Sequence, residues 1–137
     1  MDLSIFDVLG PVMIGPSSSH TAGAARLARA AALIADKPFS RVSFGLSGSF
    51  AQTGRGHGTD KALLAGALGF AADDENIRHI EDIAAQRGIK ADYYREDLEW
   101  VHDNAAHIRF FHPDDSVTEV WGASIGGGRI CVRPTPR

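Results

Sequence analysis

The chain has 137 residues, 44% of them hydrophobic, and a formal net charge of -3. That length and apolar share suit one domain with a core of its own, which needs neither a disulfide nor a structural metal to fold. The charges of both signs are interspersed with no basic block, which argues against nucleic acid as the main partner. No apolar run reaches membrane-spanning length, and the opening residues, with Asp2 and Asp7, do not read as a signal peptide.

In chain order, residues 4–7 are expected to start a short helical turn with Ser4 as its cap, ended by Gly10 and Pro11. Val12, Met13 and Ile14 then tuck an arm onto the core. From Thr21 or Ala22 to Ala35 the run is rich in alanine and leucine, both strong helix formers. Ala24, Leu27, Ala28 and Ala31 share one face by their spacing, and Pro38 stops the helix. Residues 40–46 read as a strand with Val42, Phe44 and Leu46 on one side.

A second helix is expected from Thr59 or Asp60 to about Phe70, and a third over 76–86 with Gly88 as its stop signal. Residues 105–112 form the clearest later strand, with His107 facing opposite to Ile108. Pro113, Asp114 and Asp115 are turn material, and 117–124 returns as the partner strand of a hairpin. A further short strand covers 129–132. Helices mixed with later antiparallel strands predict an α+β fold, its sheet mixed or mainly antiparallel and packed with helices.

Three polar, glycine-bounded stretches carry the candidate chemistry. The first is GPSSSHTAG, residues 15–23. Amides at a helix start lack internal partners and, with the helix dipole, favour an anion. Ser17, Ser18, Ser19 and Thr21 add hydroxyl donors, and His20 adds a proton or a second charge. The plain alternative is an elaborate N-cap, although one cap accounts for one hydroxyl and not four.

The second stretch is SGSFAQTGRGHGTD, residues 47–60, in which Gly54, Gly56 and Gly58 alternate around Arg55 and His57. It has neither phosphate-loop nor dinucleotide spacing. Arg55 suits bidentate carboxylate binding, and His57 suits acid, base or donor work near neutral pH. A glycine-rich turn with exposed charges is the plain alternative. The third is ASIGGGR, residues 123–129, where Gly126, Gly127 and Gly128 wrap a ligand, pack against a partner chain or only form a bulge. The remaining histidines show no metal-ligand spacing, so no metal site is expected. The lone Cys131 cannot form an internal bridge or hold an iron–sulfur cluster by itself, and this cysteine usage fits a reducing cytoplasm.

The segments IFDVLGPVMIGPSSSHTAGAARLA, LSGSFAQTGRGHGTDKALLAG and WGASIGGGRI resemble, in that order, the beta chain or beta domain of the iron–sulfur-dependent bacterial L-serine dehydratases. The resemblance covers nearly all of residues 1–137. It implies a fold like the allosteric substrate-binding domain of phosphoglycerate dehydrogenases, and a chain that stops before an ACT domain or an alpha domain. It implies deamination of L-serine to pyruvate and ammonia, a lyase reaction of cytoplasmic amino-acid metabolism feeding gluconeogenesis. The [4Fe–4S] cluster of that reaction belongs to the alpha chain or domain, so this chain is expected to be inactive alone. Alpha chain and L-serine are the partners implied, and homo-oligomerisation stays open.

Carried over by motif, His20 and His57 are the catalytic candidates. Ser17, Ser18, Ser19, Thr21 and Arg55 are the substrate-binding candidates, the SSSHT residues lying near the substrate carboxylate or serving as donors at the junction with the alpha domain, and lysine is a usual alternative to Arg55 in the family. Gly54, Gly56, Gly58, Thr59, Asp60, Ser124, Gly126, Gly127 and Gly128 shape the site. Asp60 orients a neighbour or caps its helix. Ala24 stands where the family often has proline, which alters the helix entrance. The same residues also suit a regulatory module that binds a small anion or an amino acid and does no chemistry.

Overall fold

The computed structural model describes residues 19–53, 58–98, 104–126 and 129–133; the side chains of Ser19, His20 and Thr53 lie outside this description. The expected turn at 4–7 and the apolar arm of Val12, Met13 and Ile14 also fall outside it.

Helix α1 spans Ser19–Ala35 and begins inside the first motif, ahead of the predicted start. It ends without help from Pro38. Asp36 adopts a left-handed φ of 47° and its N–H closes the last turn on the Ala32 carbonyl at 3.0 Å, so the helix is finished two residues before the proline. Strand β1 (Arg41–Gly48) follows, and then the short helix α2 (Ser49–Thr53), which the sequence pattern did not announce.

Helix α3 (Thr59–Ala67) is shorter than expected. Gly69, with φ 95°, lets the Phe70 N–H reach back to the Ala65 carbonyl at 2.9 Å, which ends the helix ahead of Phe70. The helix predicted over 76–86 divides into a 3₁₀ turn (Glu75–His79) and α4 (Ile80–Gln86). Gly88 ends α4 as expected, with φ 71° and an Ile89 N–H to Ala84 carbonyl bond of 2.9 Å.

Strands β2 (Lys90–Arg95), β3 (Asn104–Phe111), β4 (Val117–Gly126) and β5 (Arg129–Arg133) complete one sheet of order β2-β1-β3-β4-β5. β1 pairs with β2 in parallel, and every other pairing is antiparallel. The expected α+β architecture is therefore present, with a mostly antiparallel sheet. β2 had no counterpart in the sequence reading.

The core lies on one face of that sheet. Val42, Phe44 and Leu46 of β1, Ala106, Ile108 and Phe110 of β3, Val120 of β4 and Val132 of β5 are all buried there with residues of α1 and α3. Two glycines set how closely the layers approach. A Cβ on Gly122 would land on Leu27 of α1, and one on Gly66 of α3 would land on the Ala25 carbonyl of α1. Small residues thus let α1 press on both the sheet and α3. Alternation sends Ser43, Gly45, His107, Arg109, Glu119 and Trp121 to the other face, as predicted for His107.

The β3–β4 hairpin turns through His112 and Asp115. The Asp115 N–H bonds the His112 carbonyl at 3.0 Å, and the His112 N–H bonds the Ser116 carbonyl at 2.9 Å. The Asp114 carboxylate accepts from the Ser116 hydroxyl and amide, and Lys37 adds its charge, which together hold its pKa down to about 2. His112 lies just past β3 and is buried. Its Nδ1 donates to the Pro38 carbonyl at 2.7 Å, an oxygen that can only accept. Nε2 meets the Thr118 hydroxyl at 2.7 Å, so this histidine fastens the turn to the end of α1.

Asp92 ties β2 to β1. Partial burial pushes its pKa up. The Ser43 hydroxyl at 2.6 Å, the Arg41 Nε at 3.0 Å and the charges of Arg41 and Arg109 outweigh this and hold it below the ordinary 3.8. A carboxylate lowered in the folded state stabilises above its unfolded pKa, and that contribution is lost as pH falls through the folded value. Asp92→Asn is therefore expected to cost up to about 1 kcal/mol at pH 7, since the pair is half exposed. Urea unfolding of both proteins at pH 7 and pH 2 should show the gap closing in acid; a gap that widens there would contradict the assignment.

Candidate functional site

Strand direction gathers the ends of several elements. β1 ends at Gly48, β3 begins at Asn104 and β4 reaches Ser124, and the register sets these three residues side by side across the sheet. Alternation places Asn104 and Ser124 on the helix-covered face, with Ala106, Ile108 and Val120. α2 leaves directly from Gly48, whose φ of 63° turns the chain out of the strand.

The first motif meets the third at this end. Ser124 is buried, and a Cβ on Gly23 would collide with its hydroxyl. Glycine at 23 therefore lets the first turns of α1 sit directly on β4. α1 is 17 residues long and starts at Ser19, so the amides of its first turn, which a helix does not pair internally, begin in the SSSHT stretch itself. Thr21 is half buried in that turn. Ser17 and Ser18 lie outside the described residues, and only the backbone of Ser19 and His20 is described.

The second motif bridges β1 and α3. Gly54, Arg55, Gly56 and His57 lie outside the described residues, while the residues on either side are placed. Gly58 occupies the N-cap position of α3 with φ 88°, a left-handed conformation in which a side chain is strained. Thr59 is fully buried. The Asp60 backbone carbonyl accepts from the Tyr93 hydroxyl at 3.0 Å, and Tyr93 stacks on Phe44 at 5.2 Å between ring centres. The Asp60 carboxylate takes the Lys61 amide at 2.9 Å, one of the first-turn donors of α3.

At the third motif, β4 shifts register against β5 between Ser124 and Gly126, and Gly126 has φ 96°. This register shift with a left-handed glycine is the geometry of a bulge on the near side of the stretch. Gly127 and Gly128 lie outside the described residues.

Asn104 was not among the sequence candidates. Among the described residues, none hydrogen-bonds its buried Oδ1. The signal was available: counting back by two from Phe110, Ile108 and Ala106 puts a polar amide on the core face of β3.

The remaining concentration of charge lies on the opposite face. His107 is buried, its Nδ1 2.9 and 3.1 Å from the two Glu96 oxygens and its Nε2 2.9 Å from Glu119. It stacks flat on Trp121 at 4.4 Å. Both contacts are donated only when both ring nitrogens carry protons. Burial pushes the Tyr94 phenol up, and its bond to Glu96 at 2.9 Å adds to this. The group joins β2, β3 and β4 as a structural tie and stands apart from Asn104 and Ser124. Among the described residues no set of three or more His, Cys, Asp or Glu could hold a metal ion, and no helix is long and apolar enough to cross a membrane.

The chain is 45% identical over 132 residues to the L-serine dehydratase beta chain of Peptoniphilus asaccharolyticus, covering 96% of this chain and 60% of that one. It is 46% identical over 127 residues to the probable L-serine dehydratase beta chain of Bacillus subtilis (strain 168), covering 93% and 57%. L-serine dehydratase 1 of Escherichia coli (strain K12) is 30% identical, and the match takes in 33% of it. The chain thus spans less than two thirds of the length of these relatives. Residues 4–92 match the serine dehydratase beta chain family, and they include the first two motifs whole. This chain belongs to the serine dehydratase beta chain family.

Proposed function

We propose that this chain is the component of an L-serine dehydratase that carries no cluster. In this reading it acts with a [4Fe–4S]-bearing alpha chain or domain to convert L-serine to pyruvate and ammonia. The observation that carries the reading is the seating of Gly23, the last residue of the first motif, on Ser124, which joins the first and third motifs at one end of the sheet. Such a helix start suits the substrate carboxylate.

The residues present do not fit the cluster. One cysteine is too few to ligate it, and no metal-holding set exists among the described residues. The cluster is therefore assigned to the alpha partner, and the roles left to this chain are binding and proton handling. In that assignment the first amides of α1, Ser17, Ser18, Ser19 and Thr21, and Arg55 orient the substrate carboxylate. His20 and His57 move protons. Gly58, Thr59, Asp60, Ser124 and Gly126 hold the surrounding backbone. The likeness to the allosteric substrate-binding domain of phosphoglycerate dehydrogenases and a cytoplasmic location belong to the same proposal.

The test is pyruvate formation from L-serine without oxygen, with the alpha partner alone and then with this chain added. Activity is expected only in the mixture. Full activity of the partner alone, unchanged on addition, would reject the reading and favour the regulatory one.

A further inference from the structure

We infer that Asn104 is the acceptor for the α-ammonium group of the amino-acid substrate, an assignment that rests on the dehydratase reading above. A buried amide oxygen gives up its bonds to water on folding, and leaving it unmet is unfavourable. Among the described residues nothing meets the Asn104 Oδ1. An amide oxygen can only accept, so its missing partner is a donor. A carboxylate has no proton to give, a hydroxyl has one and an ammonium has three, and only the ammonium's donation is charge-assisted.

The position matches the rest of the substrate. Asn104 pairs with Ser124 across one strand spacing, about 4.8 Å. Ser124 in turn lies against Gly23 in α1. A zwitterion with its carboxylate at the start of α1 and its ammonium toward Asn104 therefore spans one strand, in keeping with the short distance between the two groups in an amino acid. Among the described residues the opposite face offers no orphaned acceptor of this kind, and its Glu96 and Glu119 carboxylates are engaged by His107.

The test uses the assembled enzyme with Asn104→Ala and Asn104→Asp, and two competitive probes. L-alanine carries the ammonium; 3-hydroxypropionate keeps the carboxylate and hydroxyl but lacks it. Asn104→Ala is expected to weaken L-alanine by about tenfold or more and to change 3-hydroxypropionate by less than about twofold. Asn104→Asp should retain L-alanine better than the alanine variant does. The Tm of Asn104→Ala should not fall, since an unmet oxygen is removed. Equal weakening of both probes, no weakening of either, or a marked fall in Tm would overturn the assignment. If the native mixture turns over no L-serine, the dehydratase reading fails by itself. Calorimetric titration of L-alanine against propionate into the same complex then decides Asn104: loss of L-alanine selectivity in the variant supports it, and no native selectivity, or selectivity unchanged in the variant, overturns it.

Discussion

Gly66→Val is expected to lower stability by about 2–3 kcal/mol, out of the roughly 5–15 kcal/mol that holds a domain folded. Gly66 is buried in α3, and a Cβ there would meet the carbonyl oxygen, carbonyl carbon and Cα of Ala25 in α1. These are backbone atoms of a long helix, so no rotamer change relieves the overlap. The helices must separate, and α1 cannot move freely, because Leu27 is seated over Gly122 and Gly23 over Ser124. Replacing a mid-helix glycine ordinarily gains up to about 1 kcal/mol in helix propensity. Here the overlap is the larger effect.

A fall in Tm of roughly 10 °C is the corresponding readout for a chain of this size. Gly58→Ala is the comparison. Nothing lies within 4 Å of its Cβ, so only its φ of 88° opposes a side chain. That conformation costs about 1–2 kcal/mol. Should Gly66→Val melt within about 2 °C of the native chain, the close α1–α3 contact would not be what holds these helices.

Both glycines bear on how much of the molecule could be read from its residues. The alanine face of α1, the alternation of Val42, Phe44 and Leu46 and the 113–115 turn each follow a local period, and each appears where that period put it. β2 did not, for a physical reason. Its Lys90, Asp92 and Arg95 are poor strand formers, and it is an edge strand whose parallel pairing with β1 is a non-local contact. Of Ala91, Tyr93 and Arg95, which share the core-side face, only the first two pack against the core, too few to announce a strand. α3's early stop at Gly69 was missed because the apolar run continues through Leu68 and Phe70.

The candidate site divides in the same way. Its residue types and glycines stand out along the chain, because hydroxyls and histidines bunched between glycines follow neither the helical nor the strand period of apolar residues. Which of them meet does not stand out. Gly23 and Ser124 touch only because β4 is in register with β3 and α1 lies over both. Asn104 could be found only by following the face of β3 back to its first residue.

His20→Ala in the assembled enzyme is expected to reduce L-serine turnover by about a hundredfold or more, the usual loss when a general acid or base is removed. Its Tm should stay within about 2 °C of native. Residue 20 is in the first turn of α1, where alanine is the better helix former, so the substitution does not weaken the helix. His107→Ala should show the reverse. It leaves Glu96 and Glu119 without their shared partner and strips the stack from Trp121, at a cost of about 1–3 kcal/mol in stability. Turnover per folded enzyme should change little, because His107 lies on the face away from Asn104 and Ser124. The crossed result separates a histidine that handles protons from one that ties strands together. Native turnover in His20→Ala at native Tm would remove His20 from the chemistry and leave His57 as the remaining candidate. Loss of both turnover and Tm in His20→Ala would instead mean that the start of α1 depends on this side chain for its fold, and the anion-binding role of that helix start would have to be tested through its serines.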